Sequence, residues 1–150
     1  MVDTQEETPR KQLRDAGDAQ DFALAGNAHF TVENPTTGNR FTFRVSTPKK
    51  PARNGKTVHF VSVLTGPDNR RHYRYMATIF DGEDLRWTRK SKIAEGAPSA
   101  SAFKWAFRRK FDFTDTPAEF WHEGKCGRCA RLLTVPASIS KGIGPVCAGL

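Results

Sequence analysis

Between positions 29 and 92, apolar side chains recur at every second residue, in short segments separated by clusters of turn-forming residues. This alternation is typical of β-strands that bury one face and expose the other. Turn formers are dense at positions 34–39, and Asp81-Gly82 is a strong signal for a tight hairpin turn. The pattern predicts five strands with short connections, which form an antiparallel meander with one apolar face. The predicted strands cover residues 29–33, 40–46, 57–65, 71–80 and 84–92.

A helical repeat follows the predicted strands. Phe103, Phe107 and Phe111 are spaced four residues apart, which places them on one stripe of a helix. Ser99 or Ser101 is a candidate N-cap, so we expect one helix that ends near position 111. The phenylalanine stripe is expected to pack on the apolar face of the sheet.

All three cysteines lie in the last thirty residues, with the spacing His122-x3-Cys126-x2-Cys129-x17-Cys147. Two thiolates separated by two residues can bind one ion, and Cys147 together with His122 completes a Cys3His set. Four protein ligands leave no open coordination position, so we expect a structural Zn²⁺ and no metal catalysis. Two alternatives stay open. In the first, the three cysteines are free thiols and His122 is a surface residue. In the second, two cysteines form a disulfide and the third stays a free thiol.

The tail reads H-x-G-x-C-G-x-C-x-R-x-L-T-x-P-x-S-I-x-x-G-I-G-P-x-C, and its defining positions are His122, Gly124, Cys126, Gly127, Cys129, Arg131, Leu133, Thr134, Pro136, Ser138, Ile139, Gly142, Ile143, Gly144, Pro145 and Cys147. In these residues the chain resembles a family of small uncharacterised proteins encoded by actinobacteria, their phages and mobile elements. Ala130 departs from the glycine that is common in that family, but a small residue is retained. The resemblance implies zinc binding and a phage or mobile-element origin.

The length of 150 residues and the 37% hydrophobic content suit one α+β domain, made of the five-stranded antiparallel meander, the packed helix and a C-terminal zinc knuckle. Residues 1–21 are polar and acidic, and we expect them to form a disordered tail. Residues 22–120 are assigned to the sheet and the helix, and residues 121–150 to the zinc-binding element packed on the same domain. There is no signal-peptide pattern and no apolar run near 18 residues, so we expect a cytoplasmic protein without a membrane partner.

The net charge of +8 is distributed unevenly along the chain. Residues 1–30 hold six acids and three bases, so residues 31–150 carry a net +11. An excess of this size favours a polyanionic partner, most simply nucleic acid. The candidate contacts are Arg40, Arg44, Arg71, Arg74, Arg86 and Lys90 on the sheet, Lys49, Lys50, Arg53 and Lys56 in one loop, and Lys125, Arg128 and Arg131 on the knuckle. The competing interpretation is that these cations form a solvated surface.

The fourth predicted strand leaves one alternative open. Either Arg71, Tyr73 and Tyr75 share the outward face with the arginines, or His72 and Arg74 do. Outward tyrosines would provide rings on which bases stack. We favour the interpretation that both tyrosines belong to the core.

These observations predict a non-catalytic, zinc-containing nucleic-acid-binding accessory protein. The alternative is a protein-interaction module of a phage or mobile element that binds or inhibits a host complex, with an acidic protein as its partner. Enzyme function is not expected, because no nucleophile has a recognisable activating partner and no glycine-rich phosphate loop is present. The acids at positions 81–84 are explained by the turn itself, and His59 and His72 are isolated strand histidines.

Overall fold

A computed structural model describes residues 11–48, 57–66, 72–123 and 125. In this part of the chain, seven strands form one sheet, and two helices accompany it. The elements are β1 (Lys11–Gln12), α1 (Ala16–Ala23), β2 (Asn27–Asn34), β3 (Asn39–Ser46), β4 (Val58–Leu64), β5 (Tyr73–Phe80), β6 (Asp84–Arg86), α2 (Pro98–Arg108) and β7 (Glu119–His122). Neither helix is long and apolar enough to cross a membrane.

The strand order in the sheet is β1-β7-β2-β3-β4-β5-β6, and every neighbouring pair is antiparallel. The predicted five-stranded sheet with one helix is therefore wrong, because the sheet has seven strands and the described chain has two helices. The two missed strands are only two and four residues long, too short for an alternation signal. They form because β2 offers a second edge to β7, and β7 in turn offers its other edge to β1.

The N-terminal part of the described chain is ordered by α1. Asp15 caps this helix, since its carboxylate accepts a hydrogen bond of 2.9 Å from the backbone N–H of Asp18. Phe22 at the other end is fully buried. The structure therefore places β1 and most of α1 within residues 11–21, where a disordered tail was predicted. Residues 1–10 lie outside the described chain.

Helix α2 begins at Pro98, a residue whose fixed φ suits the first helical turn. Ala97 occupies the cap position without a side-chain hydrogen bond, so the predicted serine cap is wrong. The helix ends at Arg108, and Phe111 lies beyond it in a left-handed conformation with φ of 58°. Phe111 is nevertheless buried, because the turn at the helix end directs its ring back into the core.

One side of the sheet, called the inner face, carries the core. Phe30 on β2 stacks on Phe120 of β7 with ring centroids 4.6 Å apart. Phe22 of α1 contacts both of these rings, and Phe103 of α2 packs edge-on against Phe43 of β3 at 5.1 Å. Both described helices thus cover the inner face, and the opposite side of the sheet is called the outer face.

The chain leaves the sheet early after the last hairpin. Asp81 and Gly82 both have positive φ, and the N–H of Glu83 donates to the Phe80 carbonyl, so the predicted tight turn is confirmed. Strand β6 ends at Arg86, however, and not near position 92. Beyond that point the indole N–H of Trp87 donates to the Ile93 carbonyl at 2.9 Å, and the backbone N–H of Lys92 donates to the Tyr75 carbonyl of β5 at 2.9 Å.

Candidate nucleic-acid interface

The register of the sheet decides which side chains share the outer face. His29 pairs with Arg44, and Ser62 of β4 pairs with both Arg44 and Tyr75. Tyr73, two residues before Tyr75 on β5, projects to the same side. Both tyrosines therefore lie on the outer face and are half-buried, so the interpretation that they belong to the core is wrong.

Three of these side chains, His29, Arg44 and Tyr73, contact one another and are called the outer cluster. The Arg44 guanidinium lies over the Tyr73 ring, 4.8 Å from its centroid, and His29 meets the same ring edge-on at 5.6 Å. Strands β2 and β5 are three strand spacings apart, roughly 14 Å. The side chains must therefore lean toward each other across β3 and β4, where Thr42 and Ser62 are small enough to leave room.

The outer cluster holds its histidine neutral. His29 is 8% exposed, and desolvation, together with the charges of Lys125 and Arg44, lowers its pKa to about 4. Burial and the carboxylate of Glu123 raise the pKa of Tyr73 to about 12, although Arg44 acts in the opposite direction. Among the described residues, the buried Nδ1 atom of His29 and the buried Nε atom of Arg44 have no hydrogen-bond partner. Buried polar atoms without partners reduce the stability of the folded state, so the outer cluster is not explained by packing alone.

The depressed pKa of His29 predicts acid sensitivity. An unfolded histidine binds its proton near pH 6.5, whereas the folded one does so only near pH 4, so the unfolded state binds more protons between these values. Stability is therefore complete above pH 6.5 and falls as the pH is lowered toward 4. At pH 5 the expected loss from this residue is about 2 kcal/mol relative to pH 8.

Chemical denaturation of the wild type and of His29→Gln at pH 8 and pH 5 measures this contribution. The variant should lose less stability on acidification than the wild type, by about the stated amount. The comparison cancels other groups that titrate in the same range. An equal loss in both proteins would contradict the assigned pKa.

A second polar network joins the outer face to the end of β7. The hydroxyl of Thr31 lies 2.7 Å from that of Thr42 and donates to the Glu123 carboxylate at 2.6 Å. The backbone N–H of Glu123 in turn donates to the His29 carbonyl at 3.0 Å. Glu123 therefore extends the pairing of β2 beyond the end of β7, toward the cysteine-containing tail.

The most exposed ring on the outer face belongs to Phe60, which is 40% exposed. Tyr75 meets it edge-on, with centroids 6.3 Å apart. The Tyr75 hydroxyl is fixed by Thr78 at 2.5 Å and by Thr88 at 3.1 Å. The sequence analysis did not assign Phe60 to the candidate site, although Val61 and Val63, on either side of position 62 of the strand, are buried. The alternation that placed those valines inward also places Phe60 outward.

The predicted cationic contacts lie in different parts of the molecule. Arg40, Arg44 and Arg86 lie on the outer face, as predicted. Arg74 pairs with Val63 and projects to the other side, while Lys90 lies in a turn beyond β6. Lys125 is half-buried near His29. Seven predicted contacts lie outside the described residues, namely Lys49, Lys50, Arg53, Lys56, Arg71, Arg128 and Arg131.

Only one predicted zinc ligand, His122, lies in the described chain. Its side chain is fully buried on the inner face, where its ring is 5.8 Å from that of Phe22. Zinc binds the neutral form of a histidine imidazole. Cys126, Cys129 and Cys147 lie outside the described residues, within which no three metal-binding side chains come together. The chemistry of the set, three thiols and one imidazole, suits Zn²⁺, and the site stays a prediction.

The candidate catalytic groups have structural roles. His59 is buried, and its Nδ1 atom lies 2.6 Å from the Thr47 hydroxyl. Burial lowers the pKa of His59, so it is neutral at pH 7. The acidic cluster at positions 81–84 forms the turn between β5 and β6, in which Asp84 also binds Arg86.

Comparison with known families bears on the end of the chain. Residues 116–150 match the family of unknown function DUF6011. The DUF6011 match includes β7, His122 and all three cysteines, so the predicted resemblance to an uncharacterised family is confirmed in that coarse form. No curated protein and no solved structure matches the chain.

Proposed function

We propose that this protein is a non-catalytic nucleic-acid-binding accessory protein of the cytoplasm, encoded by a phage or mobile element and stabilised by a structural zinc ion. The observation that carries the proposal is the composition of the outer face. There, Arg40, Arg44 and Arg86 share one side of the sheet with the partly exposed rings of Phe60, Tyr73 and Tyr75. Cations that contact phosphates and rings that stack on bases are the two elements of sheet-based nucleic-acid binding.

The distribution of charge supports the same partner. Residues 49–56 contain four Lys or Arg residues and residues 126–150 contain three, and neither segment contains an acid. The first of these segments connects β3 to β4 in sequence. Positive charge of this density favours a polyanionic partner.

The zinc ion has a structural role in this proposal. His122 and the three cysteines would hold it, and it would supply the tail with a fixed centre in place of an apolar core. His122 belongs to β7, whose other residues are paired with β2. The metal site would therefore be joined directly to the sheet that carries the outer face.

Fluorescence anisotropy with labelled single- and double-stranded oligonucleotides, at two or more salt concentrations, tests the proposal. We expect binding whose logarithmic affinity falls linearly with the logarithm of salt concentration. Arg40→Gln and Arg86→Gln should each reduce the slope by about 0.7 for a single strand or about 0.9 for a duplex.

Arg108→Gln is the matched control, because it removes the same charge from an exposed position on α2, which packs on the inner face. It should leave the slope unchanged. Equal effects of all three substitutions would indicate non-specific attraction. Absence of binding at low salt would contradict the proposal and favour a protein partner.

A further inference from the structure

Phe60 differs from an ordinary surface phenylalanine in its position. It lies on β4, an interior strand with β3 and β5 on either side. Its two cross-strand neighbours are Ser46 and Thr78, both small and polar. The ring therefore projects above its neighbours on the outer face, where an interior strand would usually carry a polar side chain.

The contact between Phe60 and Tyr75 holds the ring while leaving surface available. The two rings are inclined at 76°, and such an edge-to-face contact covers at most one face of either ring. Tyr75 is itself fixed by the hydrogen bonds of its hydroxyl to Thr78 and Thr88. The Phe60 ring therefore has a defined orientation beside the fixed side chain of Tyr75.

Two arginines are register neighbours of Phe60 on the outer face. Arg44 pairs with Ser62, so it is the diagonal neighbour of Phe60 at roughly 7–8 Å between Cα atoms. Arg86 lies on the other side, where it pairs with Thr78, about 10 Å away across two strand spacings. The Arg86 side chain is 67% exposed, although Asp84 accepts from its Nε atom at 2.7 Å. The Arg44 guanidinium, however, lies over the Tyr73 ring, which is opposite Leu64 and therefore on the far side of Ser62 from Phe60. Arg86 is thus the exposed cation that a phosphate next to a base on Phe60 could reach.

Trp105 provides the contrast within the described residues. It is 38% exposed on α2, close to the value for Phe60. Its ring, however, is stacked on Phe113 at 5.2 Å and lies 5.1 Å from the guanidinium of Arg109. Trp105 therefore already has partners for stacking, whereas the ring of Phe60 meets, among the rings of the described residues, only that of Tyr75, and edge to face.

We propose that Phe60 is a stacking platform for one base of a single-stranded nucleic acid, with Arg86 as the contact for a flanking phosphate. This inference rests on the proposed function and adds the class of nucleic acid. The bases of a duplex are stacked on each other and do not present a free face to Phe60. Single strands do, and stacking of this kind tolerates any base.

The test measures anisotropy with a single-stranded DNA, a single-stranded RNA and the corresponding DNA duplex. The wild type should bind at least one single strand more tightly than the duplex. Phe60→Ala should weaken that binding roughly 5- to 150-fold, because one stacked base is lost. The slope with salt should stay unchanged, since no charge is removed. Phe60→Tyr should retain affinity, and Trp105→Ala, the matched control, should bind as the wild type does.

Phe60→Leu is the control for a folding defect in Phe60→Ala, because it keeps an apolar side chain of similar size and removes only the aromatic ring. It should fold normally and bind weakly. Wild-type binding by both Phe60→Ala and Phe60→Leu would overturn the inference and leave the proposed function intact. A preference for the duplex, or equal losses on duplex and single strand, would also overturn it. If the wild type binds none of the three nucleic acids at low salt, the proposed function itself fails.

Discussion

Cys147→Ser is expected to release the zinc ion and to lower the thermal midpoint of unfolding. A hydroxyl does not replace a thiolate as a zinc ligand, so three ligands would remain of the predicted four. Structural zinc contributes folding free energy directly, about 10–16 kcal/mol apparent in small zinc-binding peptides, so losing it should cost several kcal/mol. The defect should extend to β7, because His122 is buried in the sheet beside Phe22.

Metal analysis and thermal denaturation of the same preparations measure both effects. The wild type should contain about one zinc ion per chain, as a four-ligand site requires. Ser140→Ala, which alters the tail without touching a predicted ligand, should retain zinc and melt normally. Full zinc content and an unchanged melting temperature in Cys147→Ser would exclude this cysteine from the site.

The second large effect is expected from Phe30→Ala. Phe30 is fully buried, and its ring contacts those of Phe22, Phe43, Phe111 and Phe120. Truncation of such a side chain removes its transfer free energy and leaves a cavity, at a cost of about 3–5 kcal/mol. For a chain of this size, the melting temperature should fall by roughly 6–20 °C.

Phe60→Ala is the control for this prediction, since it removes the same ring from the outer face. Its loss of stability should be clearly smaller, because Phe60 is already 40% exposed in the folded state. Equal melting temperatures for the two variants would contradict the assignment of the inner face as the core.

The residues that alternate over long segments were predictable from sequence. Strands β2 to β5 lie close to their predicted positions, since each has several core residues in phase, such as Phe30 and Val32 on β2. The sheet as a whole was not predictable. Strand β7 has only four residues, and its pairing depends on the free edge of β2, which no local pattern encodes.

The candidate site was predictable only in part. The alternation of apolar and polar residues shows on which face of the sheet a side chain lies, but not which side chains of other strands it contacts. It correctly placed Arg40, Arg44 and Arg86 on the outer face. It could not show that Arg44 lies over Tyr73. That contact depends on the register of β3, β4 and β5 and on the direction in which the two side chains extend. The exposure of Phe60 was likewise hidden, because it follows from the small residues opposite it on two other strands.

The position of β7 between β1 and β2 determines when this sheet can be completed. Lys11 pairs with His122, so β1 can pair only after a strand more than a hundred residues later in the chain has been synthesised. Pairing across such a separation forms slowly, because the entropy of closing a long loop is lost before the stabilising contacts are made. On the ribosome, β2 to β6 can pair before β7 emerges. Until it does, β2 presents an open edge beside buried phenylalanines, the kind of surface that promotes association between unfinished chains.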